Sequence, residues 1–299
     1  MTGPFPRITP QVFTRLPDSF RHSGPPSPWA AMTRPGRTLH SFLEAPFFDA
    51  DGALWLCDVA VGRVFRISAA GDWHLAHEYV GAPHAMRHLP DGRSIVADYD
   101  RGLGVLEGNS FTPVASGLEG MAFLGLSDMA DGPDGAIWIT DSGRSSLSDP
   151  TGRLWHRDAE GALRLVLSNV PYANGVAVSP DGALVYVAAT RANQVWRIAA
   201  ALPQTGAPMA GVFLQLSGGL GPDGLATNAL GWLAIAQAQA GRAYVTDALG
   251  DPIAEVRLPE GLWTTSVVFD PQNPEKLFIV EAEHGTIYTA QLPARKDLP

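Results

Sequence analysis

Six polar residues, Glu44, His84, Ser127, Asn174, Asp223 and Thr265, each stand seven positions before a recurring turn. Two carboxylates and one side-chain amide in this set offer the hard oxygen donors that Ca²⁺, Mg²⁺ or Mn²⁺ prefers. With water ligands the same set could hold Zn²⁺. Two carboxylates converging without a cation would repel one another and shift each other's pKa. The predicted metal ligands are therefore Glu44, Asn174 and Asp223, with Ca²⁺ foremost and Zn²⁺, Mg²⁺ or Mn²⁺ as alternatives. A water-filled channel can also be polar for purely structural reasons, but it needs no Glu/Asn/Asp set.

The elements that would position these residues follow from the turns. Asp51-Gly52, Asp91-Gly92, Asp134-Gly135 and Asp181-Gly182 recur, with weaker copies at Leu230-Gly231 and Gln272-Asn273, at steps of 40, 43, 47, 49 and 42 residues. An Asp-Gly pair suits a hairpin turn because glycine enters positive φ without a Cβ clash. A β-rich run follows each turn, as in Ser94–Tyr99 and Ala136–Asp141, and an apolar run precedes it, as in Gly175–Val178. A further strand follows, as in Gly62–Ile67 and Gln194–Ile198. Three visible strands per unit, with room for a fourth, predict an all-β fold: a six-bladed β-propeller of four-stranded blades around a central metal-binding channel. The ring residues open the innermost strands and so converge at one mouth of the channel. The best helical candidate, around Ile198–Leu202, is short and ends at Pro203. Gly175 and Gly224 directly follow two of the expected ligands, where backbone must bend near an ion.

The chain reads as a single propeller domain over 1–299, with blades from about 41. Residues 1–40 form a proline-rich leader whose Gln11–Leu16 can supply a strand to close the ring. With 21 basic and 30 acidic residues the net charge is −9, which excludes a basic nucleic-acid or anionic-membrane surface. Lysine occurs only at Lys276 and Lys296. The single cysteine, Cys57, sits in an apolar run and reads as a packed hydrophobe. Met1–Pro17 contains no apolar core of signal-peptide length, and no stretch reaches the roughly 18 apolar residues of a membrane span. The expectation is a cytoplasmic monomer or homodimer acting on a small molecule. The eight tryptophans read mostly as core.

The same residues carry a family resemblance. Ser41-Phe-Leu-Glu44-Ala-Pro46, Pro171-Tyr-Ala-Asn174-Gly175 and Gly221-Pro222-Asp223-Gly224 resemble motifs of the senescence-marker-protein, gluconolactonase and luciferin-regenerating-enzyme family. The likeness runs over nearly the whole chain, including Asp149–Arg153 and Leu216–Leu220. It implies a six-bladed propeller with one catalytic divalent cation, hydrolysing lactones or related esters, and it matches Glu44, Asn174 and Asp223 to the family's recurrent ligands. It departs from the family pattern at Ser127-Asp128, where many members carry Asn-Asp, at His84-Ala85, where Asn-Gly is frequent, and at Ala45, where Gly is common.

For a lactone, the cation would polarise the carbonyl and bring water toward a usable pKa. Asp223 is the first choice as base or nucleophile, and His84 the second because imidazole titrates near neutrality. His84 also reads as a neutral hydrogen-bond donor to substrate or an added ligand. Ser127, Asp128 and Thr265 are the remaining expected substrate-contacting residues, with Asp128 an acceptor behind the ligands or a pocket wall. The competing readings are a same-fold enzyme with diverged chemistry at His84, and a non-catalytic propeller that binds a small molecule.

Overall fold

A computed structural model describes residues 6–89 and 91–294. Met1–Phe5 of the leader and Lys296 lie outside them. Five antiparallel units of four consecutive strands follow one another along the chain, and a sixth of three consecutive strands completes the expected propeller. Their innermost strands are Leu43–Phe48, Pro83–His88, Leu126–Asp131, Ala173–Val178, Gly221–Thr227 and Thr264–Phe269, and these define blades 1 to 6. The fourth strand anticipated in each variable segment is present in blades 1 to 5, for example Trp73–Glu78 in blade 1 and Gly211–Gln215 in blade 4.

The leader adds outer strands to the last two blades. Gln11–Arg15 is the outermost strand of blade 6, antiparallel to Thr286–Gln291. Arg7–Ile8 adds a parallel fifth strand to blade 5. Gly52, Gly92, Gly135, Gly182 and Gly231 all hold positive φ between 71° and 84° in the inner hairpins, the conformation that selects glycine there.

Blades bury both faces, so their strands read as near-continuous apolar runs rather than clean alternation. Apolar clusters bridge every blade interface around the ring, from blades 1 and 2 to blades 6 and 1. Cys57 belongs to the blade 1–2 cluster and is 1% exposed. Burial pushes its thiol up, so it packs and does not react.

The expected helical segment at Ile198–Leu202 is not a helix. Ile198 and Ala199 finish a strand, and the Ala200 N–H bonds the Ala183 carbonyl in the adjoining strand connection. Its apolar residues serve the blade 3–4 interface. The one α-helix among the described residues is Pro28–Thr33 in the leader. Its signals are local: Ser27 Oγ accepts the Ala30 N–H at 3.2 Å, and Pro28 occupies the first turn. No helix among the described residues is long and apolar enough to cross a membrane.

Candidate active site

Every ring residue sits at a break in strand register. In the pairing of first and second strands, the register shifts between Glu44 and Phe47, Pro83 and Ala85, and Leu126 and Met129. It shifts again between Ala173 and Val176, Pro222 and Leu225, and Thr264 and Ser266. A bulge re-aims a side chain that regular pleating would send into a blade interface. The repeat therefore delivers a bulge to the start of each inner strand, and in five of the blades its polar side chain faces one cavity.

Gly175 and Gly224 serve a different purpose from the expected bend. A Cβ on Gly175 would strike the backbone carbonyl of Asp223, and one on Gly224 would meet Ser266 Cα at 2.8 Å. Both glycines let neighbouring inner strands approach backbone to backbone. Side chains then stitch the blades together. Thr190 Oγ1 donates to the Pro222 carbonyl at 2.6 Å, and the Ala45 N–H donates to Ser266 Oγ at 3.0 Å.

Glu44, His84, Ser127, Asn174 and Asp223 line one cavity of about 900 Å³. Thr265 does not join them. Its hydroxyl is fully buried and donates to the Leu43 carbonyl at 2.8 Å, which ties blade 6 to blade 1. Asp128 also lies outside the lining. Its carboxylate accepts the Val176 N–H at 3.1 Å and the Met129 N–H at 2.8 Å. Burial pushes it up to about 6, against the pull of Arg87.

The two lining carboxylates are poorly provided for. Among the described residues, no hydrogen bond reaches the Glu44 carboxylate, and Asp223 is met by the Asn174 side chain. Burial raises both carboxyls well above the usual range. Asp223 and Asp128 push Glu44 further up, Asp128 does the same to Asp223, and Arg34 opposes both rises. Asn174 is held in place: Ser127 Oγ donates to its Oδ1 at 2.8 Å. An amide oxygen has two lone pairs, so one remains for an ion. Two carboxylates without saturating donors, beside an oriented amide oxygen, fit a hard divalent cation.

His84 is 5% exposed, wedged edge-on against Trp29 at 5.5 Å and beside Tyr99 at 5.4 Å between ring centroids. Burial pulls it down to about 4. The ring is therefore neutral near pH 7, which corrects the expectation of an imidazole titrating near neutrality. Nδ1 lies 3.1 Å from the Ala82 carbonyl. A carbonyl only accepts, so the neutral ring carries its proton on Nδ1 and leaves Nε2 as an acceptor rather than the expected donor.

The repeat does not contain the cavity's roof. Trp29 and Arg34, from the helix Pro28–Thr33 and its end, line the cavity with Trp263, Tyr99, Tyr172, Arg144 and Arg191. The Arg34 guanidinium stacks 3.2 Å from the Trp263 ring centroid. Trp29 packs on Phe42 at 5.2 Å. Two of the eight tryptophans thus wall the cavity, and the same rings pack into the apolar cluster around Phe42 and Val59. Tyr172 holds φ 64°, a left-handed conformation rare for a bulky residue. The Ser27-Pro28 start was the only signal in the sequence for the helix, and nothing in the repeat marks the three arginines.

The other histidines lie apart. His77 bonds the Gly108 carbonyl, His88 bonds Ser94, and His40 bonds the His22 carbonyl. Glu281, Glu283 and His284 cluster within 4.8 Å in blade 6. Glu281 already accepts the backbone N–H groups of Glu283 and His284 at 3.0 and 2.9 Å, so its carboxylate organises a turn.

The family profile described as SMP-30/Gluconolactonase/LRE-like region matches residues 42–283. The chain belongs to this family. A lactonase, drp35, from Staphylococcus aureus strain USA300 is 26% identical over 247 residues, covering 78% of this chain and 73% of the relative. Its Staphylococcus epidermidis counterpart is 25% identical over the same span. Among solved structures, the calcium-binding protein regucalcin from Agrobacterium tumefaciens superposes with a TM-score of 0.72 at 23% identity. It covers 96% of this chain and 94% of its own. A gluconolactonase from Xanthomonas campestris gives 0.71 at 20% identity, covering 91% and 99%. The structural likenesses carry the fold. Within the family pattern, Ala45 takes on a physical meaning. It holds φ 48°, so the glycine common there answers a left-handed backbone, and this chain keeps the conformation with an alanine.

Proposed function

We propose that this chain is a divalent-metal-dependent hydrolase of lactones, with Ca²⁺ as the first candidate ion. One observation carries the reading: Glu44 and Asp223 are buried at the cavity wall with almost no donors of their own, beside the oriented amide of Asn174. Burying carboxylates without donors or a counterion costs several kcal/mol, and a cation on these three residues removes that cost. The staphylococcal relatives named lactonase support the substrate class. The likeness to a calcium-binding regucalcin supports the ion.

Bound there, the cation would supply Lewis acidity to a carbonyl oxygen and favour hydroxide over water. The remaining work belongs to side chains. Asp223 takes a proton from the attacking water, whose oxygen adds to the carbonyl carbon. The ring C–O bond then breaks, and the leaving alkoxide recovers the proton from Asp223. Ser127 keeps the Asn174 oxygen aimed. His84 offers Nε2 to a substrate hydroxyl; an imidazole pulled down to about 4 is a weak base at neutral pH and acts better as an acceptor. Trp29 and Trp263 keep bulk water from the reacting atoms.

The test is metal content and turnover together. Wild type purified in metal-replete buffer should carry one divalent ion per chain and open at least one member of a lactone panel. Glu44→Gln should lose the ion and at least 10³-fold in kcat/KM. Wild type without stoichiometric metal sinks the proposal. A metal-loaded wild type inert on every lactone shifts weight to diverged chemistry.

A further inference from the structure

Three arginines line the cavity: Arg34 from the leader, Arg144 from blade 3 and Arg191 from blade 4. Arginine in this acidic chain is mostly paired elsewhere, as in Arg63–Asp58 and Arg242–Glu255. Among the described residues, none of these three forms an ion pair. Arg34 stacks on Trp263, half-buried, and Arg191 stands 5.7 Å from the Tyr172 ring. Arg144 donates to the Met32 carbonyl at 3.3 Å, which pins the leader helix to the rim and leaves most of its donors open.

Among the described residues, the only carboxylates in the lining are Glu44 and Asp223. A divalent ion on them cancels their charge, so the loaded cavity keeps three uncompensated guanidinium groups above a neutral floor. Guanidinium is built to grip a planar or tetrahedral oxyanion with paired N–H donors. Tyr99, Tyr172, Ser146 and Ser148 add hydroxyl groups around the same space.

We infer that the natural substrate is an anionic lactone, whose ring or tail carries a carboxylate or phosphate held by Arg34, Arg144 and Arg191 while the lactone carbonyl meets the metal floor. This rests on the hydrolase reading above and narrows its substrate class. Two cation-lined rim positions also steer an anion toward the mouth, an effect that weakens with salt.

The first measurement is turnover by the metal-loaded protein of glucono-1,5-lactone, glucaro-1,4-lactone and 6-phosphoglucono-1,5-lactone. These are a neutral, a carboxylate and a phosphate probe. At low ionic strength, kcat/KM for one of the anionic probes should exceed that for the neutral probe at least 10-fold. In the double variant Arg144→Gln/Arg191→Gln, that ratio should fall toward one, mostly through KM. Which anion leads separates carboxylate from phosphate. The second measurement is calorimetric binding of glucitol 6-phosphate against glucitol, neither of which has a lactone bond to open. The phosphate should bind at least 10-fold tighter, and the double variant should lose that preference. Equal binding of the two polyols, with no preference for an anionic lactone, overturns the inference even if neutral lactone is hydrolysed. If no lactone is opened but the arginine-dependent binding preference stands, the hydrolase reading fails and the anion site survives.

Discussion

Two sets of buried acids occupy this propeller, and they are treated in opposite ways. Asp58, Asp98, Asp141 and Glu281 end the second strands of blades 1, 2, 3 and 6, and all are fully buried. Each is saturated with donors. Asp58 accepts the Phe42 N–H and the Arg63 guanidinium; Asp98 accepts Tyr79 Oη and three backbone N–H groups. Asp141 accepts the Leu124 and Gly125 N–H groups and the Trp155 indole. The repeat uses these carboxylates as turn organisers, and the Glu281 cluster is the blade 6 copy. Glu44 and Asp223, a strand away, have next to nothing. The difference teaches that burial does not mark a functional acid. An acid buried without donors is the one whose charge a bound ligand would satisfy.

The sharpest break of that comparison is a pair of isosteric substitutions. Asp58→Asn strands the Arg63 guanidinium in the interior and should cost about 3–5 kcal/mol of stability, read as a lower denaturant midpoint, while the remaining folded molecules keep their kcat. Glu44→Gln removes a charge with no partner, so in chelator it should be at least as stable as wild type. Metal at 100 times its Kd should then stabilise wild type by about 2.7 kcal/mol and leave Glu44→Gln unmoved. If Glu44→Gln unfolds as readily as Asp58→Asn, the two sets of acids are the same kind, and the site argument collapses.

Legibility in the sequence divides along the same line. Turn spacing located six blades and placed five of six ring residues on one cavity, because a repeat carries its register with it. Thr265 was misplaced because the repeat gives a position and not a hydroxyl's partner, and the Leu43 carbonyl of the next blade had claimed it. Of the two places the sequence left open for Asp128, behind the ligands or in the pocket wall, its carboxylate lies behind the lining and accepts two backbone N–H groups. The roof was invisible for a deeper reason. Trp29, Arg34 and Trp263 come from the leader and a connection between blades, where no periodicity operates and the contacts span more than 200 residues. The second-strand acids were in plain view at strand ends, but an acid in sequence does not announce its donors.

His84 sharpens the comparison by adding a buried base. Its folded pKa is pulled down to about 4 by burial, from about 6.5 in the unfolded chain. The unfolded state therefore binds the extra proton between these values. Stability contributed by the neutral ring is present above pH 6.5 and is lost as pH falls toward 4, a slope worth about 3 kcal/mol in all. His84→Gln should flatten that part of the stability–pH curve, measured by chemical denaturation at intervals from pH 7 to 4. A curve as steep as wild type's would mean that burial leaves the His84 pKa at its ordinary value, so the ring is free to act as an acid–base group after all.

The smallest effect lies beside Glu44 and tests whether the site stores strain. Ala45 holds φ 48° because the bulge that turns Glu44 into the channel requires it, and its N–H is fixed by Ser266 Oγ. A left-handed alanine costs about 1–2 kcal/mol relative to glycine, and glycine's freer unfolded chain returns about 0.4–1 of that. Ala45→Gly should thus stabilise the protein by about 1 kcal/mol or less, seen as a slightly higher denaturant midpoint. Ala45 is also 8% exposed and belongs to the blade 2–3 cluster, so losing its methyl group subtracts a little packing. A clear loss of stability would show that the methyl contact outweighs the backbone strain. The alanine would then be a packing choice made at the expense of the bulge, and Glu44 would owe its aim to the cluster beneath it rather than to the turn of the chain.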